Sequence, residues 1–458
     1  MIDLKKLSSA HFIGIGGIGV SAIARMFLVQ GKKVSGSDRS PSEITDELLK
    51  LGAKITFGEQ AISEIPEDTD LIIYSAAIEV AEPEFLAEIK KMKMPSLSYS
   101  EALGEISRDK YTIAIAGTHG KTTTTGMVAT VLLDAGLSPT VIVGSVLNRE
   151  KSNFVLGDRH AERAGLASGE SDPVRPSDGH SGKYFVVEAD EYRRSFLSLS
   201  PNILVINNLD LDHLDYFKDL ADIQSAYIEL AKKVPADGFI ITDLSNPHIE
   251  PILKVVKATV LDYTSADTVS LNLPLPGKHN IQNAQVALTV GAVLGVSRDT
   301  IIKSLNNFQG TWRRFEKVGT MKSGALVYDD YAHNPQKVKA LLSGLRELFP
   351  NERIIAVFQP HLFSRTKTLF QDFVTAFGDA DEVIFAPIFP AREAFDSSIS
   401  SDLLAEAVGK IRKGKGGVKS LGSFAEIVFH IKNNSRKGDI VVTVGAGDVY
   451  KIGKEILK

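Results

Sequence analysis

The chain has 458 residues, so two to four domains are expected, because domains commonly hold about 100–200 residues. Hydrophobic residues make up 43% and charged residues 24%, which is typical of a globular protein, and the net charge of −4 argues against a large nucleic-acid surface. The absence of cysteine excludes disulfides, thiol nucleophiles and cysteine-ligated zinc. No apolar run approaches the ~18–20 residues of a membrane span, and MIDLKKLSSAHF lacks a signal-peptide core, so we expect a cytoplasmic protein with no membrane partner.

The first predicted domain covers residues 1–108. It begins with a β-like run, His11–Ile15, which leads through a glycine cluster into a helical pattern. Lys33–Asp38 is predicted as a second strand that ends on an acid, and Leu71–Ser75 as a later strand. Alternating strands and helices predict a parallel sheet with helices on both faces.

The glycine cluster, Gly14-x-Gly16-x-x-Gly19, predicts a backbone nest for a diphosphate at a helix N-terminus. Together with Asp38 it matches the dinucleotide fingerprint, in which the acid binds a ribose hydroxyl, so a nicotinamide-dependent oxidoreductase is one interpretation. A UDP-sugar carries the same diphosphate and is a second. A third is that the glycines only allow close packing of strand and helix.

The second predicted domain, residues 109–310, begins with the strand Tyr111–Ala116 and the turn Gly117–Thr122. Proteins commonly bind nucleotide phosphates with a strand that is followed by a glycine turn, a Lys-Thr pair and a helix. In this arrangement the helix N-terminus attracts anions, Lys121 supplies a cation, and Thr122 offers a ligand to Mg²⁺. The usual motif has four residues between the glycines and this chain has two, so a glycine-rich helix start is the alternative.

Two further side chains of this domain follow buried-looking strands. Glu188 ends the strand Tyr184–Glu188, where an acid typically holds Mg²⁺ or orients water beside a phosphate loop. His213 comes soon after the strand Ile203–Asn207, although a lone histidine is most often structural. The guanine signature Asn-Lys-x-Asp is absent, so adenine is the expected base. The stretch 157–182 is rich in Gly, Ser, Pro and charge and is predicted to be a mobile surface insertion.

The third predicted domain, residues 311–458, is again expected to form an α/β sheet. Its predicted strands are Gly324–Asp329, Arg353–Phe358, Glu382–Ala386 and Asp439–Val444. The pairs Arg313-Arg314 and Asp329-Asp330 suit phosphate and ribose contacts, but a solvated charged face would have the same composition.

Taken in order, these motifs resemble the Mur ligase family of peptidoglycan synthesis, over nearly the whole chain. Besides the two glycine turns, the resemblance rests on Glu188-Ala189-Asp190-Glu191, Asp212-His213, Gly277-Lys278-His279-Asn280-Ile281-Gln282-Asn283, Arg313-Arg314-Phe315-Glu316, Asp329-Asp330-Tyr331-Ala332-His333, Gln359-Pro360-His361 with Ser364-Arg365-Thr366, and Gly445-Ala446-Gly447-Asp448.

The resemblance implies an α/β protein of three domains: an N-terminal Rossmann-like domain, a central P-loop-type ATPase domain and a C-terminal Rossmann-like domain. It implies a ligase of cell wall biogenesis, and hence of cell shape and division, that uses ATP and Mg²⁺. ATP would phosphorylate the carboxylate of UDP-N-acetylmuramate, and the amine of L-alanine would attack the acyl phosphate. A related member joins a whole tripeptide to the same UDP-sugar. We expect a monomer or weak homodimer without a nucleic-acid partner.

The resemblance also implies roles for individual residues. Those implied to bind ATP are Gly117, Thr118, His119, Gly120, Lys121, Thr122 and Thr123 at the phosphates, His279 and Asn283 near the adenine, Asp330 at the ribose and Arg314 at the γ-phosphate. Those implied to hold magnesium are Thr122, Glu188 and, at a second ion, His213. Those implied to bind substrate are Gly16, Gly17, Ile18, Gly19, Asp38 and Ser75 at the UDP-sugar, and His333 and Arg365 at the acyl phosphate or the alanine carboxylate. The implied catalytic set is Lys121, Glu188, His213, Arg314, His333 and Arg365.

Two departures from the family pattern stand out. Leu362 takes the place of an arginine that often follows Gln-Pro-His, which leaves carboxylate recognition to Arg365. Other members use a modified lysine after the metal histidine, but residues 226–230 contain none before Lys232, so the second metal site is water-rich or supported differently. A single fixed cation in the third domain favours alanine over a tripeptide, which carries several carboxylates. Two alternative functions remain. One is the nicotinamide-dependent oxidoreductase, which does not explain the second phosphate turn, and the other is a non-catalytic nucleotide sensor.

Overall fold

The computed structural model describes residues 2–157, 183–213, 216–391, 393–412 and 416–458. In this part of the chain, strands alternate with helices and the strands form three β-sheets, which confirms the predicted α/β class. The predicted insertion lies, apart from Gly157, outside the described residues. The chain forms two compact units, Met1–Pro274 with His279–Gln309 and Leu275–Lys278 with Gly310–Lys458. The first unit holds two of the sheets, so the boundary at 108/109 stays a prediction.

The first sheet is parallel throughout, with the strand order β3-β2-β1-β4-β5. Its strands are β1 Ser9–Ile13, β2 Lys33–Asp38, β3 Lys54–Phe57, β4 Ile72–Tyr74 and β5 Ser96–Ser98. Its helices are Ile18–Val29, Glu43–Lys50, Ala76–Ala81, Pro83–Lys91 and Tyr99–Arg108, with short 3-10 turns at Leu4–Lys6 and Ile62–Glu64. The chain reverses its direction of winding between β1 and β4, and ligands of such sheets bind in the crevice beyond the carboxyl ends of the strands at that point.

The second sheet has seven strands in the order β12-β11-β10-β6-β9-β7-β8. The strands are β6 Tyr111–Ala116, β7 Thr140–Leu147, β8 Ser152–Val155, β9 Tyr184–Glu188, β10 Ile203–Ile206, β11 Phe239–Thr242 and β12 Thr259–Asp262. The helices are Lys121–Asp134, Leu220–Ala231, Glu250–Leu253, Lys278–Val293 and Arg298–Asn306, with 3-10 segments at Tyr192–Ser198 and Tyr263–Ser265. Only the β7–β8 pair is antiparallel among the described strands of this sheet. Because β6 lies between β10 and β9, the residues after these three strands meet at one edge.

The two sheets of the first unit share one apolar core, which explains their compactness as a single unit. Phe12 and Phe27 of the first sheet layer and Phe185 of the second belong to the same buried cluster. In addition, Asn153 of β8 donates a hydrogen bond of 2.9 Å to the hydroxyl of Ser21, which lies in the helix Ile18–Val29.

The third sheet has six strands in the order β13-β14-β18-β15-β16-β17. The strands are β13 Glu316–Thr320, β14 Leu326–Asp330, β15 Ile354–Phe358, β16 Glu382–Phe385, β17 Val418–Ser420 and β18 Ile440–Val444. The helices are Pro335–Leu348, Phe363–Thr368, Phe370–Thr375, Ser401–Arg412, Phe424–Asn434 and Tyr450–Ile456. Sequence analysis missed both edge strands, the antiparallel β13 and the parallel β17, which are short and only partly buried. Over the described residues, no helix is long and apolar enough to cross a bilayer.

Candidate active site

The glycine-lysine turn lies between β6 and the helix Lys121–Asp134, as the sequence predicts. Gly120 has φ +82°, a left-handed conformation that favours glycine, and a Cβ there would collide with the Asn283 amide. The helix begins directly at Lys121, so its unpaired N–H groups are available to an anion.

The shape of this short loop is fixed by residues that follow β10. Asn208 accepts a hydrogen bond from the His119 N–H (2.8 Å) and donates one to the His119 carbonyl (3.2 Å). Asn207 donates to the Thr124 hydroxyl (3.0 Å), and the Tyr227 hydroxyl accepts from the Gly117 N–H (3.1 Å). Sequence analysis assigned no role to these three residues. The available signal was a polar Asn-Asn pair directly after a buried strand next to β6.

The ammonium of Lys121 is fully occupied by protein oxygens. Its Nζ donates to both carboxylate oxygens of Glu191 (2.9 and 2.7 Å) and to the Gly117 carbonyl (2.7 Å), and an ammonium has three donors. The Lys121 side chain is 13% exposed and that of Glu191 is 4% exposed. Although burial opposes both charges, the neighbouring carboxylates raise the pKa of Lys121, and the Lys121 ammonium lowers the pKa of Glu191 to about 2. The pair is therefore charged at neutral pH.

The other predicted metal ligands lie around this pair. Thr122 donates a hydrogen bond of 2.9 Å to Glu188, which also accepts from the Gly144 N–H at 2.8 Å. The Nε2 of His213 lies 3.5 Å from Glu191, and burial, which would lower the pKa of His213, is outweighed by Glu191 and Asp212, which raise it.

Asp190, Glu191 and His213 bring one ligand atom each within 4.8 Å of one another. Carboxylate and hydroxyl oxygens are what Mg²⁺ prefers, so the donor set at Thr122 and Glu188 fits this ion. The stretch 226–230, which holds no lysine, contributes Tyr227 to the phosphate loop, and Lys232 is exposed.

The N-terminal glycine cluster lies at the crevice between β1 and β4. The Gly16 N–H donates a 2.8 Å hydrogen bond to Asp38. Gly14 has φ +72°, and a Cβ there would lie 2.7 Å from the Ser75 hydroxyl, so Ser75 after β4 lies against the cluster. The predicted UDP-sugar residues thus gather at one place, with Gly17, Ile18 and Gly19 at the start of the helix.

The residues predicted near adenine and ribose have different surroundings. His279 is exposed at the start of the helix Lys278–Val293. Asn283, four residues on, is buried and accepts from the Thr124 hydroxyl at 3.0 Å, so it contacts the phosphate-loop helix. In the second unit, both carboxylate oxygens of Asp330 accept backbone N–H groups, from Phe315 at 2.7 Å and Ala332 at 2.8 Å.

The two adjacent arginines, of which the family resemblance implied a phosphate role only for Arg314, have different surroundings in the structure. Arg313 is 3% exposed and its guanidinium bonds Asp329 (2.8 Å) and the carbonyls of Gly445 and Gly447. Arg314 is half-buried, with its guanidinium over the Tyr331 ring at 5.2 Å. Arg313 is thus a structural residue that ties β14 to the turn after β18, and Arg314 is the one suited to a phosphate.

His333 and Arg365 lie in one neighbourhood of the second unit. His333 Nδ1 is 2.9 Å from the Tyr331 carbonyl, and its ring centroid is 6.2 Å from that of His361. Arg365 reaches Nδ1 of His361 at 3.2 Å, and His361 stacks on Phe389 at 5.6 Å. Leu362 has φ +70°, so it occupies a left-handed position in the turn that leads into the Arg365 helix.

Three family descriptions match the chain in order. They are "Mur ligase family, catalytic domain" at residues 9–111, "Mur ligase middle domain" at 115–268 and "Mur ligase, glutamate ligase domain" at 313–447. The chain belongs to the Mur ligase family. The predicted resemblance is thereby confirmed, and this membership favours the ligase over the oxidoreductase interpretation.

Relatives match this Mur ligase over nearly its whole length. A UDP-N-acetylmuramate–L-alanine ligase of Clostridium kluyveri is 39% identical, covering 99% of this chain and 98% of its own, and that of Clostridium tetani is 38% identical over 99% of both. The crystal structure of UDP-N-acetylmuramate-alanine ligase from Thermotoga maritima has a TM-score of 0.78 at 26% identity and 98% coverage of both chains. A murein peptide ligase from Psychrobacter arcticus shares the fold, with a TM-score of 0.69 at 24% identity over 98% of both chains.

Proposed function

We propose that this Mur ligase joins L-alanine to the carboxylate of UDP-N-acetylmuramate, with conversion of ATP to ADP and phosphate, in peptidoglycan precursor synthesis. The observation that carries the proposal is the full-length similarity to ligases of that name at 38–39% identity. The geometry supports it, since the first unit contains both a phosphate loop and a separate diphosphate crevice, as a reaction between a nucleotide and a UDP-sugar requires.

The phosphate loop activates the carboxylate. A carboxylate is a poor electrophile, and phosphorylation gives it a good leaving group. Two anions have to meet, so Lys121 leaves Glu191 for the transferring phosphate, and the helix N-terminus contributes its N–H groups. Thr122 and Glu188 would hold Mg²⁺, which would offset phosphate charge when bound. A second ion would find its ligands at His213 with Asp190 and Glu191.

The first sheet binds the UDP-sugar. The N-terminal helix begins at the glycine cluster, and its N–H groups face the crevice where ligands of such sheets bind. Asp38 and Ser75 line the same crevice and supply oxygens for ribose or sugar hydroxyls. The similarity to ligases named for UDP-N-acetylmuramate supports a UDP-sugar in preference to a nicotinamide.

The acceptor is L-alanine in this proposal, bound by the second unit. A free amino acid offers a carboxylate, an amine and a methyl group, and Arg365 beside His361 supplies the fixed cation for the carboxylate. The tripeptide-joining ligase remains the second candidate, because it shares the N-terminal and ATP motifs. The half-buried cluster of His333, His361 and Phe389 favours the smaller acceptor.

The deciding experiment measures ADP release in a coupled assay. The enzyme receives Mg-ATP and UDP-N-acetylmuramate, with either L-alanine or L-Ala-γ-D-Glu-meso-diaminopimelate as acceptor. We expect ADP release with alanine and little with the tripeptide. Preference for the tripeptide would overturn the choice of acceptor, and absence of ADP release with both would overturn the ligase proposal.

A further inference from the structure

Tyr99 lies against the N-terminal glycine cluster, at the start of the helix Ile18–Val29. A Cβ on Gly19 would lie 2.7 Å from the Cζ atom of Tyr99 and 3.0 Å from its hydroxyl oxygen, so the last glycine of the cluster makes room for this ring. In the dinucleotide fingerprint, that glycine allows close packing of helix and strand. In this chain its close neighbour is instead a tyrosine that begins another helix, Tyr99–Arg108.

The position of the Tyr99 ring is fixed by the way its helix begins and packs. The Ser98 hydroxyl accepts a hydrogen bond from the Glu101 N–H (3.2 Å), and the Glu101 carboxylate accepts one from the Ser98 N–H (2.7 Å), which is a capping box. Further along the helix, a Cβ on Gly104 would lie 2.6 Å from the carbonyl oxygen of Ser198. The helix therefore leads from the glycine cluster to the segment that follows the acids of the ATP site.

The Tyr99 hydroxyl is a donor available to a ligand. It makes no hydrogen bond to any of the residues that the structure describes, and Tyr99 is half-buried. Burial is the main cause that raises the pKa of Tyr99, and Glu188 and Asp190 raise it further. The phenol therefore keeps its proton at neutral pH and can donate a hydrogen bond to an anion.

Backbone donors lie beside this hydroxyl. The N-cap of the helix Ile18–Val29 is Gly17, which has no side chain to cap the helix, so the N–H groups of the first turn are available to an anion. Because Tyr99 packs on Gly19 in the same turn, its hydroxyl adds a side-chain donor to this backbone nest.

A diphosphate has two similar halves, so the N–H groups alone do not determine which half lies on which side of the crevice. The strand order β3-β2-β1-β4-β5 separates the two sides. Asp38 ends β2 and Tyr99 follows β5, so they lie on opposite sides of the glycine cluster that follows β1. An acid at the end of β2 is where sheets of this type bind the ribose of a nucleotide, which assigns the uridine to the Asp38 side and the sugar to the Tyr99 side.

The Tyr99 side is also the side of the ATP site. Glu188 and Asp190 are the acids that act on the phenol of Tyr99. The carboxylate of the sugar has to reach the transferring phosphate beside Glu188, so a sugar on the Tyr99 side points in the productive direction.

We propose that the Tyr99 hydroxyl donates a hydrogen bond to the sugar-side phosphate of the UDP-sugar and thereby sets the direction in which the diphosphate lies in the crevice. The inference rests on the proposed function. Tyr99 is a substrate-binding residue in this proposal and takes no part in the chemical steps.

Calorimetry with a series of nucleotides tests the assignment without turnover. Tyr99→Phe keeps the ring against Gly19 and removes only the hydroxyl. We expect the affinities for UDP, UDP-N-acetylglucosamine and UDP-N-acetylmuramate to fall by a similar factor, on the order of 10–100-fold, because a hydrogen bond to a charged group is lost. The affinity for UMP, which lacks the second phosphate and is measured by displacement of UDP, should not change, and neither should the affinity for ADP.

Tyr111→Phe is the matched control. It removes a phenol at the amino end of β6, where the ring packs on Tyr184 at 5.7 Å between centroids, and it should leave all five affinities unchanged. Unchanged affinities in Tyr99→Phe would overturn the inference. A loss confined to UDP-N-acetylmuramate, which would put the hydroxyl at the sugar's carboxylate, or an equal loss for UMP, which would put it at the uridine-side phosphate, would also overturn it. Failure of the wild-type enzyme to bind UDP-N-acetylmuramate would instead overturn the proposed function.

Discussion

Replacing Lys121 with alanine should destabilise the first unit as well as stop turnover, because the lysine is half of a buried ion pair. Its ammonium bonds both oxygens of Glu191, and the Glu191 side chain is only 4% exposed. Removing one partner of such a pair leaves an unpaired buried charge and typically costs about 3–5 kcal/mol. The pKa shift gives a similar magnitude. Lowering the pKa of Glu191 from 4.5 to about 2 corresponds to roughly 3 kcal/mol of stability at neutral pH.

The sign of the pH dependence follows from the same carboxylate. Because its folded pKa is lowered, Glu191 adds stability above its unfolded pKa of 4.5, and this stability is lost as pH falls through about 2. The difference in stability between wild type and Lys121→Ala should therefore be full at neutral pH and shrink across that acid window.

Urea unfolding followed by far-ultraviolet circular dichroism provides the assay. Trp312, the single tryptophan, lies in the second unit, so its fluorescence transition serves as an internal reference that should not move. Glu191→Gln in the Lys121→Ala background removes the stranded charge and should recover most of the lost stability, but no ADP release. A Lys121→Ala protein as stable as wild type at neutral pH would refute the reasoning.

Three further predictions concern the metal, the UDP-sugar and the acceptor. Thr122→Val should raise the Mg²⁺ concentration needed for half-maximal ADP release on the order of 10–100-fold, whereas Thr125→Val, which loses only a bond to the Lys121 carbonyl, should not; equal effects would contradict the ligand role. Gly16→Ala places a Cβ 2.9 Å from Asp38 and should weaken UDP-N-acetylmuramate but not ADP in calorimetry, and neither NAD nor NADP should give binding heat; tight nicotinamide binding would revive the oxidoreductase. Glycine and serine should replace L-alanine poorly, with kcat/KM lower by ~10–200-fold, since one methyl group is worth about 1–3 kcal/mol; equal use of glycine would argue against a fitted methyl pocket.

The sequence by itself determined the α/β class, most strands and the family. Tyr111–Ala116 and Tyr184–Glu188 were predicted with their observed bounds, because short apolar runs rich in β-branched and aromatic residues favour buried parallel strands. The strand, turn and helix around Gly117–Thr122 were also predicted, from the Lys-Thr that follows glycine after an apolar strand. The roles of the predicted site residues stay predictions until the ligands are tested.

Only the tertiary structure decided which neighbours those residues have. In the sequence nothing distinguishes Glu191 from the other acids near it, but in the fold it pairs with Lys121. Asn208 accepts a hydrogen bond from His119, which lies 89 positions away in the chain. Arg313 and Arg314 carry the same side chain, yet Arg313 is buried and paired with Asp329 whereas Arg314 is half-buried. Pairings between distant segments are set by strand order and packing, and these leave no periodic trace in the sequence.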